Sequence, residues 1–143
     1  MNTMDKTALL RRVTLFSAIP VESLLVIAEI AKETDMAKGQ NIFKEQDEAD
    51  KLYCIVSGEI SIEKNNKVLS ELKEADYFGE LGLLDKMPRT ASAIAKSDGV
   101  LLYIDKDEFI NILEDLPEIM HAVVAQIIQY LRQNLENSSF TSA

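Results

Sequence analysis

The sequence predicts a mainly β protein with flanking helices. The expected architecture is an antiparallel β-roll, of the double-stranded β-helix or jelly-roll kind, with N-terminal helices before it and two C-terminal helices after it. Three observations carry this expectation. Short apolar runs separated by turn residues follow one another over about residues 34–105. Helical spacing of apolar residues appears before them, after Pro20, and returns after Asp105. No linker, internal repeat or low-complexity stretch breaks the 143 residues, so one domain over 1–143 is expected.

In chain order, a short helix is expected over Lys6 to Arg12. A second follows Pro20, with Val21, Leu24, Leu25, Ala28 and Ala31 able to share a face and Pro20 suited to the first helical turn. Strand-like runs then cover Asn41 to Phe43, Lys51 to Ser57, Glu59 to Lys64, Lys67 to Leu72, Ala91 to Ala95 and Val100 to Asp105. Gly58, Asn65-Asn66 and Ser97-Asp98-Gly99 supply the turns, the asparagine pair because it tolerates the positive φ of a tight hairpin. Leu52-Tyr53-Cys54-Ile55-Val56 is apolar on both faces, as a strand buried on two sides should be, whereas Glu59-Ile60-Ser61-Ile62-Glu63 alternates like a half-exposed one. Helices are expected over Lys106 to Glu114 and Glu118 to about Glu136, parted by Pro117, and together they make a candidate lid over about 106–136.

At this length a chain buries roughly 70% of the surface it exposes when unfolded, enough to fold without staples. Cys54 is the one cysteine, so no internal disulfide forms; its apolar setting suggests a small buried hydrophobe in a reducing compartment. No apolar stretch reaches the ~18 residues of a membrane span, and the N-terminus lacks the basic-then-apolar order of a secretory signal, which points to a cytoplasmic protein. The net charge of -9 and pI near 4.6 argue against nucleic-acid binding, which needs a concentrated basic face. An anionic small ligand would meet weak long-range repulsion and would depend on short-range donors in a shielded pocket.

The stretch from Phe78 to Ala95 sets a glycine-flanked acid, Glu80, nine residues before Arg89. A guanidinium is a rigid fork of donors that matches phosphate oxygens, and a carboxylate accepts hydrogen bonds from hydroxyls, so the segment suits a phosphorylated sugar. Gly79 and Gly82 would let backbone and ligand approach closely. A short helix around Leu81 to Leu84 would turn free amides toward a bound anion.

Phe78-Gly79-Glu80, Gly82 and Arg89-Thr90-Ala91 make the chain resemble the cyclic nucleotide-binding domain family. Upstream, Phe16, Ile19-Pro20, Gly39, Ile42-Phe43, Glu45, Asp47, Ala49-Asp50, Leu52-Tyr53, Ile55 and Ser57-Gly58 follow the order usual in that family, so the likeness runs from about Leu15 to Leu113. The resemblance implies a regulatory sensor that binds cAMP or cGMP and catalyses nothing. It further implies that Glu80 accepts the ribose 2′-hydroxyl, that Arg89 pairs with the exocyclic phosphate oxygens, and that Thr90 and Ala91 add hydroxyl and backbone contacts. Leu83 would sense movement of the phosphate segment. The implied ligand-binding set is Phe78, Gly79, Glu80, Leu81, Gly82, Leu83, Arg89, Thr90 and Ala91, with no metal, no cofactor and no catalytic residue. Ligand capture would draw the segment inward, release the junction around Leu113 to Pro117, and let the last helix close as a lid.

Two departures from the family pattern stand out. Gln46 replaces a usual glycine in Glu45-Gln46-Asp47, so a positive φ there would carry a steric cost unless the turn is rebuilt. Ala93 replaces a larger β-branched residue and enlarges the space beside the pocket.

Blander readings stand beside these. Glu80 and Arg89 would serve equally as a structural salt bridge, Thr90 as an ordinary strand residue, and the roll as a ligand-free interaction scaffold. The chain also reads as the sensor half of a transcription regulator without its DNA-binding module, or as a sensor excised from a larger kinase, channel or transporter. His121 is the sole histidine, which excludes a multi-histidine metal barrel and suggests an exposed or partner-facing helix position. The final helix carries Met120, Val123, Val124, Ile127, Ile128, Leu131 and Leu135, a wider apolar surface than one seam needs. It would either pack wholly on its own domain or cover the base with one face and pair with a second copy with the other. Gln126, Gln129, Tyr130, Arg132 and Gln133 are the candidates for contacts to the base, and an effector protein is a further possible partner.

Overall fold

The computed structural model describes residues 1–80, 82–83 and 85–136. Helix α1 (Thr3–Arg12), a 3-10 turn (Thr14–Phe16) and α2 (Val21–Ile30) precede the strands. These are β1 (Lys32–Met36), β2 (Asn41–Phe43), β3 (Lys51–Ser57), β4 (Ile60–Lys64), β5 (Lys67–Leu72), β6 (Tyr77–Phe78), β7 (Ser92–Ala95) and β8 (Gly99–Asp105), and α3 (Lys106–Asp115) and α4 (Pro117–Glu136) close the chain. The strands form two antiparallel four-stranded sheets, ordered β1-β8-β3-β6 and β2-β7-β4-β5, which face each other as a roll.

Two cores explain the pattern on β3. Tyr53 and Ile55 point into the roll with Phe43, Ile60, Ile62, Phe78, Ala93 and Leu101. Leu52 and Cys54 point the other way, onto a helical core built from Leu10, Phe16, Leu24, Ile27, Phe109 and Ile119. The strand is therefore buried on both faces, as its uninterrupted apolar run predicts. Burial pushes the Cys54 thiol up to about 12. On β4, Ile60 and Ile62 turn inward, and Ser61 is buried as well, its hydroxyl donated to Glu63 Oε2 at 2.8 Å.

Several boundaries move for physical reasons. Helix α1 starts at Thr3 because the Asn2 side chain caps it, accepting the Asp5 amide at 2.8 Å. In α2 the buried face is Leu24, Ile27 and Ala28, while Val21 and Leu25 stay 40% and 39% exposed; Pro20 takes the capping position just before the helix. The roll begins at Lys32 rather than 34, since the polar strand β1 gains its order from pairing with β8, Thr34 lying opposite Leu101. Strand β6 is held by β3 through Tyr53 opposite Phe78. Pro117 is the first residue of α4, not a separator, because a proline lacks an N–H that the first turn leaves unbonded in any case. His121 is exposed on that helix.

Asn65 and Asn66 adopt φ of 53° and 62° and join Lys64 to Lys67 in the expected tight hairpin. Gln46 keeps φ at 73°, so the turn is not rebuilt and the side chain bears the strain. Replacing Gln46 by glycine should raise stability by about 0.5–1 kcal/mol, the αL penalty less the added chain entropy. Urea unfolding would measure it, and a loss of stability would show that the side chain makes a compensating contact.

Candidate ligand site

Strand β6 delivers Phe78 into the roll, where its ring stacks on Tyr53 with centroids 5.1 Å apart and planes at 9°. Gly79 then turns the chain at φ 83°. A Cβ here would stand 3.1 Å from Arg89 Nη1, 3.2 Å from the Lys51 oxygen and 3.3 Å from the Phe43 ring. Glycine is thus required by a close approach as well as by the turn.

The group approaching Gly79 is the Arg89 guanidinium, 1% exposed and the largest fully buried side chain among the described residues. One Nη donates to the Gly79 carbonyl, the other to the Lys51 carbonyl at 2.7 Å, and the Cζ lies 4.1 Å from the Phe43 ring centroid. Its Nε is buried without a hydrogen-bond partner. Among the described residues no carboxylate stands within ion-pair distance of it. Burial pulls the pKa down, and Tyr53, Asp50, Glu80 and Asp47 at longer range pull it back. The backbone is fixed by the strained turn: the Arg89 amide donates to the Asp47 oxygen at 2.8 Å, and the Gln46 amide donates to the Arg89 oxygen at 2.9 Å. The cost at Gln46 therefore helps to position Arg89.

Glu80 lines a cleft of about 250 Å³ at the β5–β6 edge of the roll, with Ile62, Ser70, Leu72, Tyr77 and Phe78 as its walls. Helix α4 contributes Tyr130 to it, and the 3-10 turn contributes Thr14. Tyr130 alone of the five polar candidates on α4 reaches this wall. Tyr77 is raised to about 12, chiefly by burial and then by the nearby Glu80 and Tyr130.

Of the expected site residues, Phe78 and Glu80 line this cleft, while Arg89 lies beneath Gly79 and outside the cleft's described walls. Thr90 is exposed, Ala91 is 1% exposed inside the roll, and Leu83, at 2%, belongs to the helical core. Leu81 lies outside the described residues, as does Leu84. Gly82 and Leu83 form a turn rather than a helix, because Gly82 has φ 90°, a value no right-handed helix contains. A Cβ on Gly82 would overlap the Met87 oxygen and stand 2.6 Å from the Ala49 Cβ. Thr14, Ser70, Leu72 and Tyr77 carry no sequence signal for the site; only their convergence on Glu80 marks them.

The sequence profile of the family described as "Cyclic nucleotide-binding domain" matches residues 33–115, more than half of the chain and the whole of the Glu80–Arg89 segment. The chain belongs to the cyclic nucleotide-binding domain family. It is a sensor domain of a regulatory rather than a catalytic family. Its relatives include a cGMP-dependent protein kinase of Toxoplasma gondii, 36% identical over 118 residues, covering 82% of this chain and 12% of the kinase. A CRP-like cAMP-activated global transcriptional regulator of Mycobacterium tuberculosis is 26% identical over 134 residues, covering 90% of this chain and 60% of the regulator. This chain thus spans only part of the length of either protein. Among solved structures, the N-terminal domain of a transcriptional regulator from Streptomyces coelicolor A3(2) superposes with a TM-score of 0.80 at 27% identity, covering 94% of this chain and 97% of that one. The mainly antiparallel β-roll with flanking helices is the shared fold. No helix among the described residues is long and apolar enough to cross a membrane.

Proposed function

We propose that this domain binds a cyclic mononucleotide, cAMP or cGMP, with the cyclic phosphate on Arg89 and the ribose 2′-hydroxyl on Glu80. The observation that carries the assignment of the phosphate is the state of Arg89: a buried guanidinium with one unused donor and no carboxylate partner. Burying a charge is costly unless it is paired, and a phosphate monoanion supplies both the counter-charge and acceptors for the free Nε. Reaching it requires the segment after Gly79 to shift, and the turn at Gly82 is a place where the backbone can do so. Phe78, Gly79, Leu81, Gly82, Leu83, Thr90 and Ala91 form the rest of the proposed segment. Tyr130 brings α4 to the rim beside Glu80, so a bound nucleotide would hold α4 down as a lid over 106–136, provided it binds the closed state better than the open one. The output would pass to an effector protein or to further sequence.

The binding test is thermal unfolding with and without cAMP or cGMP at about 1 mM, where a ligand selective for the folded state must raise Tm by mass action. No shift with either nucleotide would favour a ligand-free scaffold. Competition between the two would identify the base preference. Glu80→Gln should weaken binding by about 1.5–3 kcal/mol, because a charge-assisted hydrogen bond becomes neutral or is lost. A 2′-deoxy ligand should lose a similar amount on the wild type and little more on the variant; additive losses would show that the two groups do not meet.

Helix α4 buries Ile119 and Val123 and leaves Met120, Val124, Ile128, Leu131 and Leu135 between 37% and 66% exposed, so it does not pack wholly on its own domain. These residues recur at intervals of three and four, the spacing of a helix-pairing seam. From Ile119 to Leu135 the only Lys, Arg, Asp or Glu is Arg132, so in a chain of charge -9 this face can approach a second copy with little repulsion. This face supports a homodimer through α4. Sedimentation should show it, and Ile128→Glu should return it to monomer; a monomeric wild type at high concentration would refute the pairing.

A further inference from the structure

Five residues other than glycine adopt a positive φ among the described residues, and they fall into two groups. Asn65 and Asn66 belong to the β4–β5 hairpin and are of the type that tolerates this conformation. Gln46, Ala75 and Lys86, at 73°, 70° and 63°, are not, and all three stand at the ligand site. The Gln46 amide donates to the Arg89 oxygen, Ala75 is on the wall of the Glu80 cleft, and Lys86 lies between Glu80 and Arg89 in the chain. Left-handed backbone at such residues persists only where the surroundings enforce it.

The three are enforced to different degrees. Gln46 is tied to Arg89, and the Ala75 amide donates to the Ile55 oxygen at 2.9 Å while the Ile55 amide donates to the Asp76 oxygen at 3.0 Å. Lys86 is exposed and takes part in no hydrogen bond or ion pair among the described residues. It is held only through its neighbours. Asp85 Oδ1 accepts the Met87 amide at 3.0 Å, closing a turn around Lys86, and the Met87 carbonyl sits against Gly82. Lys86 is also where a change of backbone falls. Pro88 has a fixed φ and restricts Met87 to extended conformations, while the Arg89 amide and oxygen are both bonded to the Gln46 turn.

We infer that Lys86 sets the affinity of this site: it holds backbone strain in the ligand-free domain, and the strain is released when the segment shifts toward a bound phosphate. The inference rests on the cyclic nucleotide reading above. In the free domain the Asp85 clasp keeps Lys86 left-handed; with ligand the clasp opens and Lys86 takes the negative φ that a residue with a Cβ prefers. The release adds to the preference of the ligand for the shifted state. Glycine has no such preference, so the same movement at a glycine would release nothing. Lys86 acts here as a positioning residue through its backbone, and its ammonium plays no part.

The test is calorimetric titration of the wild type, Lys86→Gly, Lys86→Asn and Lys86→Ala with cAMP and cGMP. Lys86→Gly should bind roughly fivefold to tenfold more weakly than the wild type. Affinity compares two folded states, so the chain entropy that glycine adds to the unfolded state does not enter. Lys86→Ala removes the charge and keeps the Cβ, and should stay within about twofold of the wild type; Lys86→Asn should fall between alanine and glycine. In the wild type saturated with nucleotide, the Lys86 Cα and Cβ chemical shifts should leave their left-handed values. Equal affinity of Lys86→Gly and wild type, a Lys86→Ala variant as weak as the glycine one, or shifts that remain left-handed at saturation would each overturn the role of Lys86 while leaving the nucleotide site standing. A wild type that binds neither nucleotide would overturn the site and this inference together.

Discussion

Arg89→Ala should lower affinity for the cyclic nucleotide by about two to three and a half decades, or about 3–5 kcal/mol, because a largely desolvated phosphate is left without its main partner. Titration calorimetry of wild type and variant is the measurement, and equal affinities would remove Arg89 from the phosphate site. The same change removes two hydrogen bonds to the Gly79 and Lys51 carbonyls, so the free protein should lose stability too. Arg89→Lys separates charge from geometry. A lysine keeps the positive charge but has no planar fork with which to serve two carbonyls and a phosphate together, so most of the affinity should still be lost. Retention of wild-type affinity by the lysine variant would mean that the guanidinium acts as a point charge only.

Phe78→Ala should cost about 3–5 kcal/mol of folding stability, seen as a lower urea midpoint at unchanged slope. The ring is 1% exposed and touches both Tyr53 and Phe43, the latter at 5.9 Å between centroids, so its removal leaves a cavity that three strands cannot easily close. Part of the loss is specific to aromatic contact, about 0.5–1.5 kcal/mol for each pair beyond the area buried. Phe78→Leu should therefore fall between wild type and alanine. Binding should weaken as well, since Phe78 forms a wall of the Glu80 cleft and packs against the ring under Arg89. An alanine variant as stable as the wild type would show that the roll interior does not depend on this stack.

Much of the fold is legible where the signal is local. The double-faced apolar run of β3 and the asparagine hairpin after β4 depend on neighbours a few residues apart and take the expected form, and the helices form where their spacing places them, although α2 buries Ile27 in place of Val21 and Leu25. Two strands are missed for one reason. Strand β1 is polar and is ordered by β8, nearly seventy residues away, opposite which it lies; β6 is two residues long and owes its form to β3. Pro117 suits a helix start as well as a helix stop, and only the packing of α4 on the 3-10 turn and α3 selects the start.

By itself, the sequence determined a β-roll between helices, the acidic net charge, and the Gly-Glu and Arg-Thr-Ala pattern that marks the family. These rest on residue type and short spacing, which a linear reading contains. The tertiary structure decided that Arg89 rests on two backbone carbonyls with its Nε unused, that Tyr130 rather than its polar neighbours reaches the Glu80 cleft, and that α4 leaves one apolar face open. Each depends on where distant strands and helices bring side chains in space, and contact of that kind is set by packing two cores at once, not by the order of residues along the chain.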